Sequence, residues 1–147
     1  MSGCGPHEPY PIYGKPVHSY FGVMHKLADD LIWLGDSLAA LRTYDVLCCM
    51  EVISHFNEWQ QEETQFYTVE QEGLYVQLAA VIDRRINTIM AVNPLTCITD
   101  LIKARQLEED GVMSIVWPGI LQVLDLPELN NRDFREQLVE KEVERHE

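Results

Sequence analysis

Apolar residues recur every three or four positions through most of this chain, which is the spacing that puts them on one face of an α-helix. The clearest run predicts helix A over residues 17–41. Its apolar positions are Val17, Tyr20, Met24, Leu27, Leu31, Leu34, Leu38 and Leu41. Thr43 is expected to end this helix and to cap the next one.

The same spacing predicts helix B over residues 44–61. Its inner face is expected to consist of Val46, Cys49, Met50, Ile53 and Phe56. Phe66 and Tyr67 then fall in a connecting turn. The exposed side of helix B is expected to carry Cys48 beside a row of acidic residues.

Thr68 and Gln71 have the spacing of a capping box and predict the start of helix C, over residues 69–92. Its inner positions are expected to be Leu74, Leu78, Val81, Ile82, Ile86, Ile89 and Met90. Asn93-Pro94 then predicts a restart, with Asn93 as the cap of helix D and Pro94 at its first position. Helix D is expected to end near Glu109, before Asp110-Gly111.

Residues 112–126 fit either a buried strand or another helix. We favour a helix, because no second strand candidate is available to pair with a first one. Asn130 or Asn131 then caps a final helix, whose few apolar positions are Phe134, Leu138, Val139 and Val143.

These elements predict an all-α fold, a single-domain bundle of about five to six helices. Residues 1–16 contain four prolines and are expected to form an extended N-terminal arm. Residues 17–127 form the helical core, and residues 128–147 form a charged C-terminal helix. A chain of 147 residues is long enough for one sizeable core.

Negative charge is concentrated in residues 27–83. The acids there are Asp29, Asp30, Asp36, Asp45, Glu51, Glu58, Glu62, Glu63, Glu70, Glu72 and Asp83. With Arg42 as the only base, this segment holds ten of the chain's thirteen net negative charges. Such a balance argues against binding to nucleic acid or anionic membranes and favours a basic protein partner.

The sequence also predicts where the protein is found. It has no run of about 18 apolar residues and no apolar stretch typical of a signal peptide near its start. The four cysteines show no C-x-x-C spacing, and reduced thiols are expected, with Cys49 facing the core. We therefore expect a cytoplasmic protein without a membrane span.

Two rows of His and carboxylate residues are the candidates for metal chemistry. His25 and Asp29 share one face of helix A, and Glu51, His55 and Glu58 share one face of helix B. Metal sites in helical bundles need such residues to point inward, whereas both rows lie opposite their own apolar faces. We therefore expect no metal, no cofactor and no catalytic residue, and these five remain only weak candidates.

The segment from Lys26 to Leu34 resembles the second metal-binding helix of the all-α nucleotide pyrophosphatases, which carries Glu-x-x-Asp. Asp29 matches the aspartate of that motif. Lys26 occupies the position of the essential glutamate, so a ligand is missing and the activity is not carried over to this chain.

The expected function is that of an acidic protein-binding module, an inhibitor or antagonist that docks on a basic protein of the nucleic-acid-binding type. In character it resembles phage anti-defence proteins and toxin-immunity proteins. The expected contact residues are Asp29, Trp33, Asp36, Glu51, Glu58, Trp59, Glu62 and Glu63.

Two alternatives stay open. One is a structural or assembly subunit of a viral or multiprotein complex, with possible self-association through the C-terminal helix. The other is a metal-dependent helical-bundle enzyme that uses the His and carboxylate rows.

Overall fold

A computed structural model describes residues 22–56, 59, 64–104 and 112–130. It contains the α-helices α1 (Val23–Trp33), α2 (Leu38–Ser54), α3 (Gly73–Ile82), α4 (Ile98–Lys103) and α5 (Val112–Ile115). Two strands, β1 (Phe66–Val69) and β2 (Ile89–Val92), and three short 3-10 helices (Glu70–Glu72, Ile120–Gln122 and Leu126–Asn130) complete the described part. The predicted arm over 1–16 and the predicted C-terminal helix beyond residue 130 lie outside the described residues.

The fold is mostly helical, as predicted, but it is not an all-α bundle. Strands β1 and β2 form a two-stranded parallel sheet in which Phe66 pairs with Ile89 and Val69 with Val92. Helix α3 connects them and packs on both, which makes a β-α-β unit. The sequence hides this pairing because partners in a parallel sheet lie more than twenty positions apart, with no hairpin turn between them.

Helix A was predicted to run to residue 41, and this is wrong. Helix α1 ends at Trp33, because Gly35 adopts a left-handed conformation with φ of 81° and Ser37 caps α2. The Ser37 hydroxyl accepts a hydrogen bond from the backbone N–H of Ala40 at 3.1 Å. Glycine takes positive φ at low cost and serine is a preferred cap, so these two residues set the break even though the apolar spacing continues through it.

The predicted inner face of helix B is correct at Val46 and Met50, which are buried. It is wrong at Cys49, Ile53 and Phe56, which are exposed. The buried residues of α2 are Leu38, Ala39, Arg42, Thr43, Val46 and Met50. Two polar side chains therefore lie inside, which a pattern of apolar positions does not reveal.

Thr43 is not the cap that was predicted. It lies within α2, and its buried hydroxyl donates to the carbonyl oxygen of Ala39 at 2.8 Å. Thr68, the predicted cap of helix C, lies in β1 with a buried side chain, and no side chain caps α3. Phe66 and Tyr67 belong to the same strand rather than to a turn.

Helix C was predicted to continue to residue 92, but α3 ends at Ile82. The carboxylate of Asp83 accepts hydrogen bonds from the backbone N–H of Arg85 at 2.9 Å and from its guanidinium. These bonds to Arg85 lower the pKa of Asp83. An aspartate that bonds the backbone two residues later is typical of a turn, and this turn leads the chain into β2.

Helix α3 lies at the centre of the core. Seven of its ten residues are buried, including Leu74, Tyr75 and Leu78. Phe66 and Ile89 from the strands pack against the same cluster, as do Ile115, Leu124 and Leu129 from the second half of the chain. A helix that is apolar on all sides is typical of an element surrounded by others.

One polar network crosses this core. The guanidinium of Arg42 donates to the Tyr75 hydroxyl at 3.0 Å, and the two residues are both buried. The Tyr75 hydroxyl donates in turn to Ser114, whose carbonyl oxygen and hydroxyl oxygen each lie 3.0 Å away. The network therefore joins α2, α3 and α5 through a single phenol.

The second half of the chain differs from the predicted helix D. Asn93 and Pro94 precede the helix instead of starting it, Asn93 has φ of 48°, and α4 begins only at Ile98. Residues 112–115 form the short helix α5 and not a strand, but the helix favoured for residues 112–126 does not continue beyond Ile115, and Ile120–Gln122 is a 3-10 helix. Helix α5 stops before Pro118-Gly119, where Gly119 has φ of 81°.

No helix in the described ranges is long and apolar enough to cross a membrane.

We expect Tyr75→Phe to lower the free energy of unfolding by about 1–3 kcal/mol, because it leaves buried groups of Arg42 and Ser114 without their shared partner. Tyr67→Phe is the matched control, since the side chain of Tyr67 is exposed and its removal should change stability little. Urea denaturation measures both variants. Equal stability of the two variants would contradict a structural role for the Tyr75 hydroxyl.

Thr68 and Thr43 offer a second comparison. The buried hydroxyl of Thr68 has no hydrogen-bond partner among the described residues, whereas that of Thr43 bonds to Ala39. Replacement by the isosteric valine should therefore stabilise the protein by about 1 kcal/mol at Thr68 and destabilise it at Thr43. Thermal unfolding of the two single variants checks the signs, and a loss of stability at Thr68 would contradict the prediction.

Candidate functional site

The turn between α1 and α2 forms an exposed corner. Trp33 is 89% exposed and Leu34 is 81% exposed, and the neighbouring carboxylates Asp29, Asp30 and Asp36 are exposed as well. We call these five residues the acidic corner. The helix end at Trp33 and the left-handed Gly35 bring them together, so the predicted contact residues Asp29, Trp33 and Asp36 share one region of the surface.

Local partners orient the carboxylates of the acidic corner without burying them. The Nε2 atom of His25 lies 3.3 Å from Asp29, and the ammonium of Lys26 lies 3.0 Å from Asp30. Asp36 accepts a hydrogen bond from the backbone N–H of Ser37 at 2.7 Å. Exposed ion pairs of this kind contribute little to stability, so these carboxylates remain open to another molecule.

The other predicted contact residues do not belong to this corner. Glu51 is exposed on α2, where it accepts a hydrogen bond from the guanidinium of Arg85 at 3.2 Å. Trp59 is half-buried and packs against the core, with a buried indole N–H that has no partner among the described residues. Glu58, Glu62 and Glu63 lie outside the described residues.

The weak metal candidates are also separate. His25 and Asp29 form one pair on α1. Glu51 lies in α2 and His55 directly follows this helix, with its Nδ1 atom 2.7 Å from the backbone oxygen of Glu51. Glu58 lies outside the described residues. In the part of the chain that the structure describes, no three His, Cys, Asp or Glu side chains are grouped so that they could hold a metal ion.

The carboxylate of Asp125 accepts five hydrogen bonds from described residues, and sequence reasoning missed this residue. It accepts hydrogen bonds from the N–H groups of Ile98 at 2.8 Å and Thr99 at 3.2 Å, and from the Thr99 hydroxyl at 2.6 Å. The Cys97 thiol at 3.2 Å and the Leu126 N–H at 2.7 Å complete the set. Asp125 thus caps α4 from a distant part of the chain, which no local sequence signal indicates.

These bonds determine the charge state of Asp125. Burial raises the pKa of its carboxyl group, but the hydrogen bonds from the Thr99 hydroxyl, the Ile98 N–H, the Cys97 thiol and the Leu126 N–H together lower it well below the ordinary aspartate value. A carboxylate that stays ionised and has its oxygen atoms occupied is suited to structural capping rather than to proton transfer.

An apolar groove of about 430 Å³ lies between α4, α5 and the turn that follows α5. Its described lining residues are Ile98, Leu101, Ile102, Val112, Ile115, Val116, Trp117, Pro118, Gly119, Ile120, Leu121 and Gln122. None of them is ionisable, so this described lining has no group that can transfer a proton or act as a nucleophile.

Comparisons with protein-family models, curated proteins and solved structures find no match to this chain. The functional argument therefore depends on the geometry and chemistry of its own residues.

We expect Asp125→Ala to lower the free energy of unfolding by about 1–2 kcal/mol at neutral pH, because α4 loses its cap. A carboxylate whose pKa is lowered in the folded state stabilises the protein above its unfolded pKa of about 3.9 and loses this effect as the pH falls through the folded value. The difference in the free energy of unfolding between the variant and the unsubstituted protein should therefore stay constant above about pH 5 and shrink as the pH falls below it.

Denaturant titrations across this pH range measure the difference. Asp100→Ala is the control, since Asp100 is an exposed acid in the first turn of the same helix. Equal losses for the two variants, or a difference that shrinks above pH 5, would contradict the assignment of Asp125 as the cap.

Proposed function

We propose that this protein is an acidic binding module, an inhibitor or antagonist that docks the acidic corner on a basic protein of the nucleic-acid-binding type. The observation that carries the proposal is the nearly complete exposure of Trp33 and Leu34 next to three exposed carboxylates. Two large apolar side chains in water contribute nothing to the core, whereas tryptophan is among the residues that dominate binding energies at protein interfaces.

Charge and apolar contacts contribute to different steps of the proposed binding. The net charge of −13 attracts a basic partner over distance and speeds the encounter. At contact, Asp29 and Asp36 form ion pairs with Arg or Lys side chains of the partner that would otherwise bind phosphates. Trp33 fills an apolar depression between those basic side chains. Blocking of the partner's basic surface is then both steric and electrostatic.

A second acidic region along the chain also contacts the basic partner in this proposal. It consists of Glu51, Glu58, Glu62 and Glu63. Trp59 contributes less, because it already packs against the core. No observation on the described residues favours the assembly-subunit alternative over this one. The metal-enzyme alternative would need the His and carboxylate rows of α1 and α2 to converge on one site. The described residues of these rows form no such group.

The test compares three full-length variants that are immobilised and exposed to a lysate of the source organism, with retained proteins quantified by mass spectrometry. Asp29→Lys/Asp36→Lys reverses the charge of the corner, and Trp33→Ala removes the proposed anchor. Glu70→Lys/Glu72→Lys is the control, since it makes the same change in net charge at two exposed acids of another element.

We expect the original protein to retain a small set of basic proteins, and Trp33→Ala to weaken their binding roughly thirtyfold, the effect of losing about 2 kcal/mol at a central contact. The corner charge reversal should weaken binding further, and the control should weaken it least. Binding should fall between about 0.1 and 1 M salt, as the Debye length shortens from about 10 to 3 Å. Retained proteins that are not basic, or corner variants that behave like the control, would contradict the proposal.

A further inference from the structure

The aromatic ring of Trp33 belongs to the same side of α1 as two carboxylates of the acidic corner. Trp33 is the last residue of α1, and Asp29 and Asp30 come four and three positions before it. Residues at these spacings are neighbours on a helix, and a long side chain covers the turn that precedes its own Cα. The exposed indole is therefore expected beside these two acids.

The two acids differ in how much of each carboxylate is occupied. Both oxygen atoms of Asp30 lie 3.0 Å from the ammonium of Lys26. Only one oxygen of Asp29, Oδ2, has a partner among the described residues, the Nε2 atom of His25 at 3.3 Å. Asp29 thus offers its Oδ1 atom to a cation from another molecule, next to an aromatic side chain that is 89% exposed.

An exposed aromatic ring beside an open carboxylate favours a guanidinium over an ammonium ion. A guanidinium is planar and weakly hydrated, so it can stack on an indole while its N–H groups donate to a carboxylate. The ammonium of lysine is compact and strongly hydrated, so it loses more when it leaves water. Tryptophan is also the best aromatic partner for a cation. The chemistry of this site therefore points to arginine.

We propose that the acidic corner binds an arginine side chain of the basic partner in preference to a lysine. The guanidinium stacks on the indole of Trp33, and one of its N–H groups donates to the Oδ1 atom of Asp29. The exposed carboxylate of Asp36 adds attraction for a positive charge without distinguishing the two residue types. This inference rests on the function proposed above, and it names the basic residue that the same site selects.

Two synthetic peptides, octa-arginine and octa-lysine, test the preference. They carry the same charge, so the long-range attraction to a protein of net charge −13 is similar for both. Isothermal titration calorimetry of the full-length protein, at about 0.15 M salt, gives a dissociation constant for each peptide. The ratio of the lysine value to the arginine value then measures the contact that only a guanidinium makes.

Trp33→Leu should lower this ratio roughly two- to fivefold, because leucine is apolar but has no aromatic face. Asp29→Asn should lower it as well. Tyr67→Leu is the matched control, since Tyr67 is another aromatic residue that is 69% exposed, and it should leave the ratio unchanged. Lys26→Gln/Asp30→Asn removes an ion pair from the corner without a change in net charge and should also leave the ratio unchanged.

Nuclear magnetic resonance locates the bound peptide independently. The protein has three tryptophans, and each indole N–H gives one signal. The signal that Trp33→Leu removes belongs to Trp33, and octa-arginine should shift it more than octa-lysine does. Trp59 packs against the core and Trp117 lines the apolar groove, so their signals should change least.

The results separate this inference from the proposed function. An equal ratio in Trp33→Leu and in the original protein, or a Trp33 signal that octa-arginine leaves unshifted, would overturn the preference for arginine. Basic proteins retained from the lysate through the acidic corner would then still support the proposed function. Failure of both peptides to bind would contradict the function and the inference together.

Discussion

The hydroxyl of Tyr75 is the polar group around which the described core is arranged. It lies buried in the first turn of the apolar helix α3, where an unpaired hydroxyl would cost about 1–3 kcal/mol. Its partners come from α2 and α5, so satisfying this one group fixes how both helices meet α3. Arg42 is buried for the same reason, because its guanidinium reaches the Tyr75 hydroxyl from inside the core.

Short elements surround this centre, and each depends on a contact with a distant part of the chain. Strands of four residues are stable only as part of a larger unit, and here they pair with each other and pack on α3. Helix α4 has six residues, too few for an isolated helix, and it is capped by Asp125 from the following segment. Long-range polar bonds thus replace the local stability that these elements lack.

The surface separates into regions with different chemistry. At the acidic corner, carboxylates surround a tryptophan and a leucine, which suits a basic partner with an apolar depression. Near the end of α2, Glu51 lies 3.2 Å from Arg85, so this carboxylate is paired with a base. Helices α1 and α2 therefore carry different polar groups on their outer sides, while their inner sides are buried.

The sequence by itself determined the helical character of the chain, the buried positions Val46 and Met50, and the outward direction of Asp29 and Glu51, because these depend on the local period of a helix. The break at Gly35 and Ser37 is also a local signal, although the continuing apolar spacing masked it. Only the tertiary structure decided that Phe66–Val69 and Ile89–Val92 are strands, that Arg42 lies inside and that Asp125 caps α4. The physical reason is that strand pairing, buried hydrogen bonds and capping across the chain depend on partners distant in sequence, which no local pattern records.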